Sequence, residues 1–151
     1  MIITRLKLKN WRNFKHVEVN LRERVYLIGP NASGKSNLLD VFRFLRDIAK
    51  AEGGGLQKAV VGDRGGLKRI RCLNARRDPE VMIEVEMSEA MNAPAKWRYT
   101  LGIKSEGTGL QRPVVSQETV VDLIADKKLL DRPNAEDAGD PELRTVTHLE
   151  Q

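Results

Sequence analysis

The residues with the clearest chemistry are eight consecutive positions with the spacing G-x-x-x-x-G-K-S. They are Gly29, Pro30, Asn31, Ala32, Ser33, Gly34, Lys35 and Ser36. In this pattern a glycine-rich loop turns its backbone N–H groups toward the phosphates of a nucleotide, the lysine reaches the β- and γ-phosphates, and the serine hydroxyl binds Mg²⁺. The sequence therefore predicts a site for a nucleoside triphosphate such as ATP, with Lys35 as its cation and Ser36 as its metal ligand.

The residues on either side of this loop predict the elements that must hold it. Residues 25–28 are a short apolar run, which favours a buried parallel strand over residues 24–28. From residue 36 to residue 50, apolar side chains recur every three or four positions, which predicts an amphipathic helix that ends before the glycines at 53–55. The positive end of that helix would face the phosphates.

Most of the remaining chain alternates apolar and polar residues, as half-buried strands do. The predicted strands and hairpins cover residues 2–21 with a turn at 10–14, residues 81–87, residues 97–103, and residues 114–124 with 127–131. The acidic stretch 131–142 contains helix breakers and predicts a loop or disordered segment. We therefore predict an α/β fold with a mixed sheet, in which antiparallel strands surround one strand–loop–helix unit of an incomplete parallel core.

Length and composition narrow the class of protein. The 151 residues suffice for one domain with a real core. No run of residues is long and apolar enough to span a membrane, and the first residues lack a signal-peptide core, so we expect a cytoplasmic protein. Cys72 is the single cysteine, which excludes an internal disulfide.

The charge is distributed unevenly along the chain. Residues 1–77 carry 18 Lys and Arg against 6 Asp and Glu, a balance of +12, whereas residues 78–151 carry 8 against 15, a balance of −7. The densest basic stretch contains Arg64, Lys68, Arg69, Arg71, Arg76 and Arg77 and no acidic residue. It predicts either contact with a nucleic-acid backbone or a solvated strand edge that is protected by its charge.

Two sequence segments resemble the first lobe of ABC-type ATPase heads of the RecF/SMC/OLD group. One is the opening ITRLKLKNWRNF, which is similar to the strand and the Asn-aromatic-Arg-x-aromatic start of that group, and the other is the extended loop GPNASGKSNLLD. A weaker third segment is Arg64-Gly65-Gly66 with the strands that follow it. The resemblance implies that residues 1–151 are the N-terminal lobe of a P-loop ATPase domain.

The resemblance also implies roles for particular residues. Asn31, Ser33, Gly34, Lys35 and Ser36 would bind the phosphates and Mg²⁺, and Asn37 would support the triphosphate. Arg12 would lie near the nucleotide, although its position also fits a solvated hairpin tip. The γ-phosphate would be sensed by Gln151 or by Gln117. A second ATPase head would dimerise with this one on ATP, as a clamp that acts in DNA repair or in defence against foreign DNA.

The sequence departs from that group where hydrolysis is concerned. ATP hydrolysis needs a carboxylate for Mg²⁺ and a group that positions water, which the group supplies as Asp-Glu after four apolar residues. This chain contains neither that pattern nor the Leu-Ser-Gly-Gly signature, and His16 precedes the phosphate loop, so it is not the switch histidine. We therefore expect weak nucleotide binding and negligible turnover from a lobe that is a fragment, a truncated protein or half of a split one.

Two other functions use the same residues. A small-molecule kinase would need alternating strands and helices after the first helix, which the strand-rich stretch 81–130 opposes. A non-catalytic remnant or interaction subunit would need a partner to supply the missing lobe.

Overall fold

A computed structural model of the chain describes residues 1–75, 78–107 and 111–150. Its strands are β1 (Ile2–Trp11), β2 (Phe14–Asn20), β3 (Val81–Ser88), β4 (Trp97–Ser105), β5 (Pro113–Asp122) and β6 (Lys127–Arg132). They form one sheet in the order β2-β1-β3-β4-β5-β6, and each described pair of neighbours is antiparallel. The α/β class, both hairpins and the two strands between them are confirmed.

The structure corrects the prediction of a mixed sheet with a strand over residues 24–28. Those residues form no strand, and the side chains of Tyr26 and Ile28 are 78% and 95% exposed. A strand needs a neighbour for its backbone hydrogen bonds, and no described strand lies beside this segment. The run has the composition of a buried strand but not the neighbours that one requires.

One long helix, α1 (Lys35–Ala49), confirms the predicted amphipathic helix. Its side chains Val41, Phe44 and Ile48 are fully buried in one cluster with Leu6 and Leu8 of β1. Each such side chain contributes roughly 1.5–3 kcal/mol of burial free energy, so the apolar stripe fixes α1 against the sheet. No helix within the described ranges combines the length and apolarity needed to cross a membrane.

The chain after α1 returns to the tip of the β1–β2 hairpin. It passes through a π-helix (Lys58–Gly62) and a short helix, α2 (Leu67–Ile70). The Arg12 N–H donates to the carbonyl of Ile70, and the Cys72 N–H donates to the carbonyl of Asn10 at 2.9 Å. These bonds place the first part of the basic stretch beside the hairpin tip and the start of α1.

Most of the stretch predicted as a loop or disordered segment over residues 131–142 is helical in the structure, and its first two residues end β6. It contains α3 (Ala135–Gly139), and a 3₁₀ helix (Pro141–Thr145) follows. Asn134 caps α3 by accepting two backbone N–H groups, and Arg132 donates to Asp137 at 2.7 Å and to the buried Glu118 at 3.1 Å. A composition that favours loops is thus overcome by a cap and a buried ionic network.

Candidate nucleotide-binding site

The phosphate loop ends in a helix terminus that has free backbone donors. Gly34, at the N-cap of α1, has a φ of 98° in the left-handed region, which favours glycine. Leu38 donates its N–H to Gly34 at 3.0 Å, so the amides before it have no acceptor within the helix. No side chain of the described residues caps this end, and its first turn has no acidic residue. The positive end of the α1 dipole is therefore available to an anion.

These donors open on a cavity of about 330 Å³ lined by residues 31–37. Ser36 is exposed there, in a position that suits a ligand for the Mg²⁺ of a bound nucleotide. The Lys35 Nζ donates to the carbonyls of Gly29 and Pro30, both at 2.6 Å, and lies 3.4 Å from Ser33 Oγ. The loop itself thus holds the lysine, and its flexible stem lets it turn to a phosphate. The residues present fit a Mg-nucleotide.

The tip of the β1–β2 hairpin packs against the start of α1. Trp11 Nε1 donates to the Asn37 carbonyl at 2.8 Å, and the Asn37 carboxamide donates to Asn13 Oδ1 at 2.8 Å. A Cβ atom built on Gly34 would meet the Asn13 side chain and would lie 2.9 Å from Phe14 Cζ. Glycine is therefore required at residue 34 both by its φ angle and by the approach of the hairpin.

Arg12 connects this tip to the second turn of α1. Its φ of 53° lies in the left-handed region, which is unusual for a residue other than glycine and costs about 1 kcal/mol or more. Its Nη2 donates to Asp40 Oδ2 at 2.9 Å and its Nη1 to the Arg69 carbonyl at 3.1 Å, while the buried Nε has no hydrogen-bond partner among the described residues. Arg12 is therefore a paired residue and not a solvated tip.

A second, larger cavity adjoins the phosphate cavity. It has a volume of about 720 Å³, and its lining includes Arg12, Asn13, Asn37, Lys68, Arg69 and Arg71. Asn37 lines both cavities, so the two have one wall residue in common. The larger cavity therefore offers a strongly basic space beside the phosphate cavity.

Asp40 joins two arginines in a cluster beneath the site. Its carboxylate accepts from Arg12 and also from Arg64, whose Nη2 and Nε lie at 2.9 and 3.1 Å. Burial alone would raise the pKa of Asp40, but the hydrogen bonds from Arg64 and Arg12 outweigh it and hold that pKa below its ordinary value. Asp40 stays ionised at neutral pH and fixes both guanidinium groups.

The comparisons with known proteins agree with this geometry. The profile of a family described as "AAA domain, putative AbiEii toxin, Type IV TA system" matches residues 25–143. The chain belongs to this family of P-loop AAA domains. A second profile, described as "P-loop containing region of AAA domain", matches residues 3–45, which include the hairpin and most of α1.

Relatives of this AAA-domain protein include several described as "DNA replication and repair protein RecF". The one from Bacillus mycoides (strain KBAB4) is 30% identical over 90 residues, which are 59% of this chain and 24% of the relative. The one from Roseiflexus castenholzii is 34% identical over 92 residues, or 56% of this chain and 23% of the relative. The one from Agrobacterium fabrum is 44% identical over 62 residues, or 40% and 15%. The resemblance to RecF-like ATPases is confirmed, and the chain spans about a quarter or less of these relatives.

The basic stretch of this AAA-domain protein divides into three parts. Arg64 does not belong to an exposed surface, because its side chain is 6% exposed, pairs with Asp40 and with Asp47 at 3.2 Å, and lies 5.0 Å from the Phe44 ring centre. Lys68 and Arg69 are exposed on α2, and Arg71 is half-buried. Arg76 and Arg77 lie outside the described residues. The alternative of a solvated strand edge does not fit Lys68 and Arg69, which lie on α2, whereas Arg71 forms an isolated antiparallel bridge with Trp11.

Of the two glutamines that the resemblance suggested as γ-phosphate sensors, Gln117 is not brought to the site. Gln117 lies on β5, opposite Gly102 of β4, and does not line the phosphate cavity. Gln151 lies outside the described residues. Sequence reasoning did not assign a role at this site to Trp11, Asn13 or Asp40. The available signal was that Trp11 and Asn13 lie in the NWRN turn and that Asp40 lies one helical turn after Ser36.

Proposed function

We propose that this chain binds Mg-ATP as the N-terminal lobe of a RecF-like, ABC-type ATPase head. The observation that carries the proposal is the uncapped N-terminus of α1, which opens with left-handed Gly34 on the phosphate cavity. Free amides at a helix start, next to a lysine and a serine with this spacing, bind phosphate and Mg²⁺. When bound, the metal would neutralise charge on the phosphates, and Ser36 would be its protein ligand.

The two adjoining cavities suggest how the nucleotide is divided between them. The amides of the first α1 turn and Lys35 would hold the triphosphate. The larger cavity beside Arg12 would take the ribose and base, because it shares the wall residue Asn37 with the phosphate cavity. Arg12 is held by Asp40, so it would present a fixed edge of positive charge to the nucleotide rather than move to it.

A partner lobe would complete the ATPase. The sequence lacks the Asp-Glu and Leu-Ser-Gly-Gly patterns that serve hydrolysis in the group it resembles, and the exposed Val25, Tyr26 and Ile28 lead straight into the phosphate loop. Strands of another lobe laid beside residues 24–28 would bury these side chains and take their backbone hydrogen bonds. Two completed heads would then close on ATP as a clamp in DNA repair or anti-phage defence.

Nucleotide binding is tested by calorimetry of the purified chain with Mg-ATP, together with Lys35→Ala and Lys15→Ala. Lys15 is an exposed lysine on β2 of the hairpin beside the loop, so it controls for the loss of one positive charge. We expect Lys35→Ala to weaken binding at least ten-fold, because hydrogen bonds to charged groups contribute about 1.5–3 kcal/mol, and Lys15→Ala to leave it unchanged. Equal affinities for the wild type and Lys35→Ala would defeat the proposal.

Turnover is a separate measurement on the same samples. We expect negligible phosphate release from the isolated chain, since it lacks the groups that position water. Robust release that depends on Lys35 would show that the catalytic groups are present after all.

Contact with DNA is proposed for Lys68, Arg69 and Arg71, with Arg76 and Arg77 next in sequence. The first two are exposed on one short helix beside the nucleotide site. Contacts with phosphates weaken steeply as salt rises, so duplex affinity is measured across a salt series for the wild type, Lys68→Glu and the exposed control Lys127→Glu. We expect Lys68→Glu to lower the affinity and the salt slope more than the control does. A flat salt response of the wild type would contradict the proposal.

A further inference from the structure

The β1–β2 hairpin tip touches α1 at three points that lie on one face of the helix. Asn13 packs against Gly34 and bonds the Asn37 side chain, Trp11 bonds the Asn37 carbonyl, and Arg12 bonds Asp40. Residues 34, 37 and 40 are spaced by three, so they lie in a row along the helix. The hairpin therefore holds the first two turns of α1, which carry the donors of the phosphate site.

The backbone of the tip is shaped for this contact. Arg12 adopts its left-handed φ while its N–H bonds the Ile70 carbonyl and its guanidinium bonds Asp40. A non-glycine residue stays in that region only when its surroundings hold it there. The result is that the next residue, Asn13, lies with its carboxamide over Gly34 and against Asn37.

We propose that Asn13 is a positioning residue for the phosphate loop. Its carboxamide occupies the space beside Gly34 that a Cβ would fill, and it fixes the side chain of Asn37, the third residue of α1. The loop is thereby held with its amides directed to the cavity before any anion arrives. Ordering the donors in advance lowers the entropy cost of binding. This inference rests on the proposed function.

The experiment compares the wild-type chain with Asn13→Ala and with Asn20→Ala, an exposed asparagine on the same hairpin. The probes are Mg-ATP and inorganic tripolyphosphate, which has phosphates but no base or ribose. We expect Asn13→Ala to weaken both probes by about five-fold, the effect of one neutral hydrogen bond, with Asn20→Ala unchanged. Because the Asn13 side chain is exposed, the thermal midpoint of Asn13→Ala should stay within about 2 °C of the wild-type value.

The two probes separate positioning from direct contact with the nucleotide. A loss for Mg-ATP alone would place Asn13 against the base or ribose and overturn the inference. Unchanged affinity for both probes would overturn it as well. Asn37→Ala and the Asn13→Ala/Asn37→Ala double variant complete a double-mutant cycle. We expect the double variant to lose no more probe affinity than the weaker-binding single variant, since both substitutions remove the same contact. Additive losses would contradict that shared contact.

A measurement without nucleotide keeps this inference distinct from the proposed function. The Leu38 amide bonds Gly34 in the first turn of α1, so its hydrogen exchange reports how firmly the start of the helix is held. We expect the Leu38 amide to exchange faster in Asn13→Ala than in Asn20→Ala. Equal exchange would refute the inference that Asn13 holds the start of α1. A wild-type chain that binds neither probe would defeat the proposed function, and the phosphate role of Asn13 with it.

Discussion

Replacing Asp40 by Asn removes the charge that holds two arginines together. Asp40 is 19% exposed, and its partners Arg12 and Arg64 are 25% and 6% exposed. Removing one partner of a buried ion pair costs about 3–5 kcal/mol because the other charge stays buried. Arg64 keeps Asp47 at 3.2 Å and Arg12 keeps the Arg69 carbonyl, so we place the loss at about 2–3 kcal/mol, below that range.

Urea denaturation at pH 7 measures this loss as a fall in the unfolding free energy. The thermal midpoint, measured in a separate heating experiment, should also fall. For a domain of this size each kcal/mol corresponds to roughly 2–4 °C, so we expect a fall of about 4–12 °C. The matched control is Asp131→Asn, which removes a carboxylate that pairs with Lys128 at 2.7 Å while 61% exposed. That exposed pair should contribute under about 1 kcal/mol.

The comparison refutes the reasoning if Asp40→Asn costs no more than Asp131→Asn. Such a result would mean that Arg12 and Arg64 are satisfied by their other acceptors, and that the cluster beneath the phosphate loop does not depend on its central carboxylate.

Three further outcomes are expected. Stability should fall as the pH is lowered from 5 to 3, because hydrogen bonds from arginines lower the pKa of Asp40 and Asp137 in the folded state. The stability that these carboxylates contribute is present above their ordinary pKa near 3.8 and is lost as the pH falls through the folded pKa. Urea midpoints at pH 5, 4 and 3 test the sign. Glu118→Gln should cost about 2–4 kcal/mol in the same assay, since the fully buried carboxylate accepts from Tyr99 and Arg132, and a loss under 0.5 kcal/mol would mean that a neutral amide serves equally well. Gly34→Ala should abolish Mg-ATP binding and lower the thermal midpoint, because φ is 98° and Phe14 leaves no room for a methyl group; calorimetry showing wild-type affinity would contradict this.

The sequence predicted the elements whose evidence is local. The alternation in β3 and β4, and in the β5–β6 hairpin, gave strands that pair with neighbours close in the chain. The 3.6-residue period gave α1 to within a residue at each end. The phosphate loop was predictable because spacing alone defines it, and its left-handed Gly34 agrees with the role of that glycine.

Distant contacts explain what the sequence could not predict. Arg64 resembled the exposed basic residues beside it, and only the fold shows that Asp40 and Asp47 on α1 enclose it. The stretch after β6 is rich in loop formers, but its order depends on Arg132 meeting Asp137 nearby and Glu118 on a neighbouring strand. The parallel strand over 24–28 failed for the opposite reason, since an apolar run does not provide its own neighbours.

The phosphate loop is thus held unequally at its two ends, which has a consequence for nucleotide affinity. Its C-terminal end, at the start of α1, is held by the β1–β2 hairpin, whereas its N-terminal end follows the exposed Tyr26 and Ile28. Burying two such side chains would contribute roughly 3–6 kcal/mol before the costs of association. In the proposed complete head, docking would also fix the carbonyls of Gly29 and Pro30, which hold Lys35 here. Because coupling between two binding events is reciprocal, a partner lobe that raises the affinity for Mg-ATP must itself bind more tightly, by the same factor, when Mg-ATP is present.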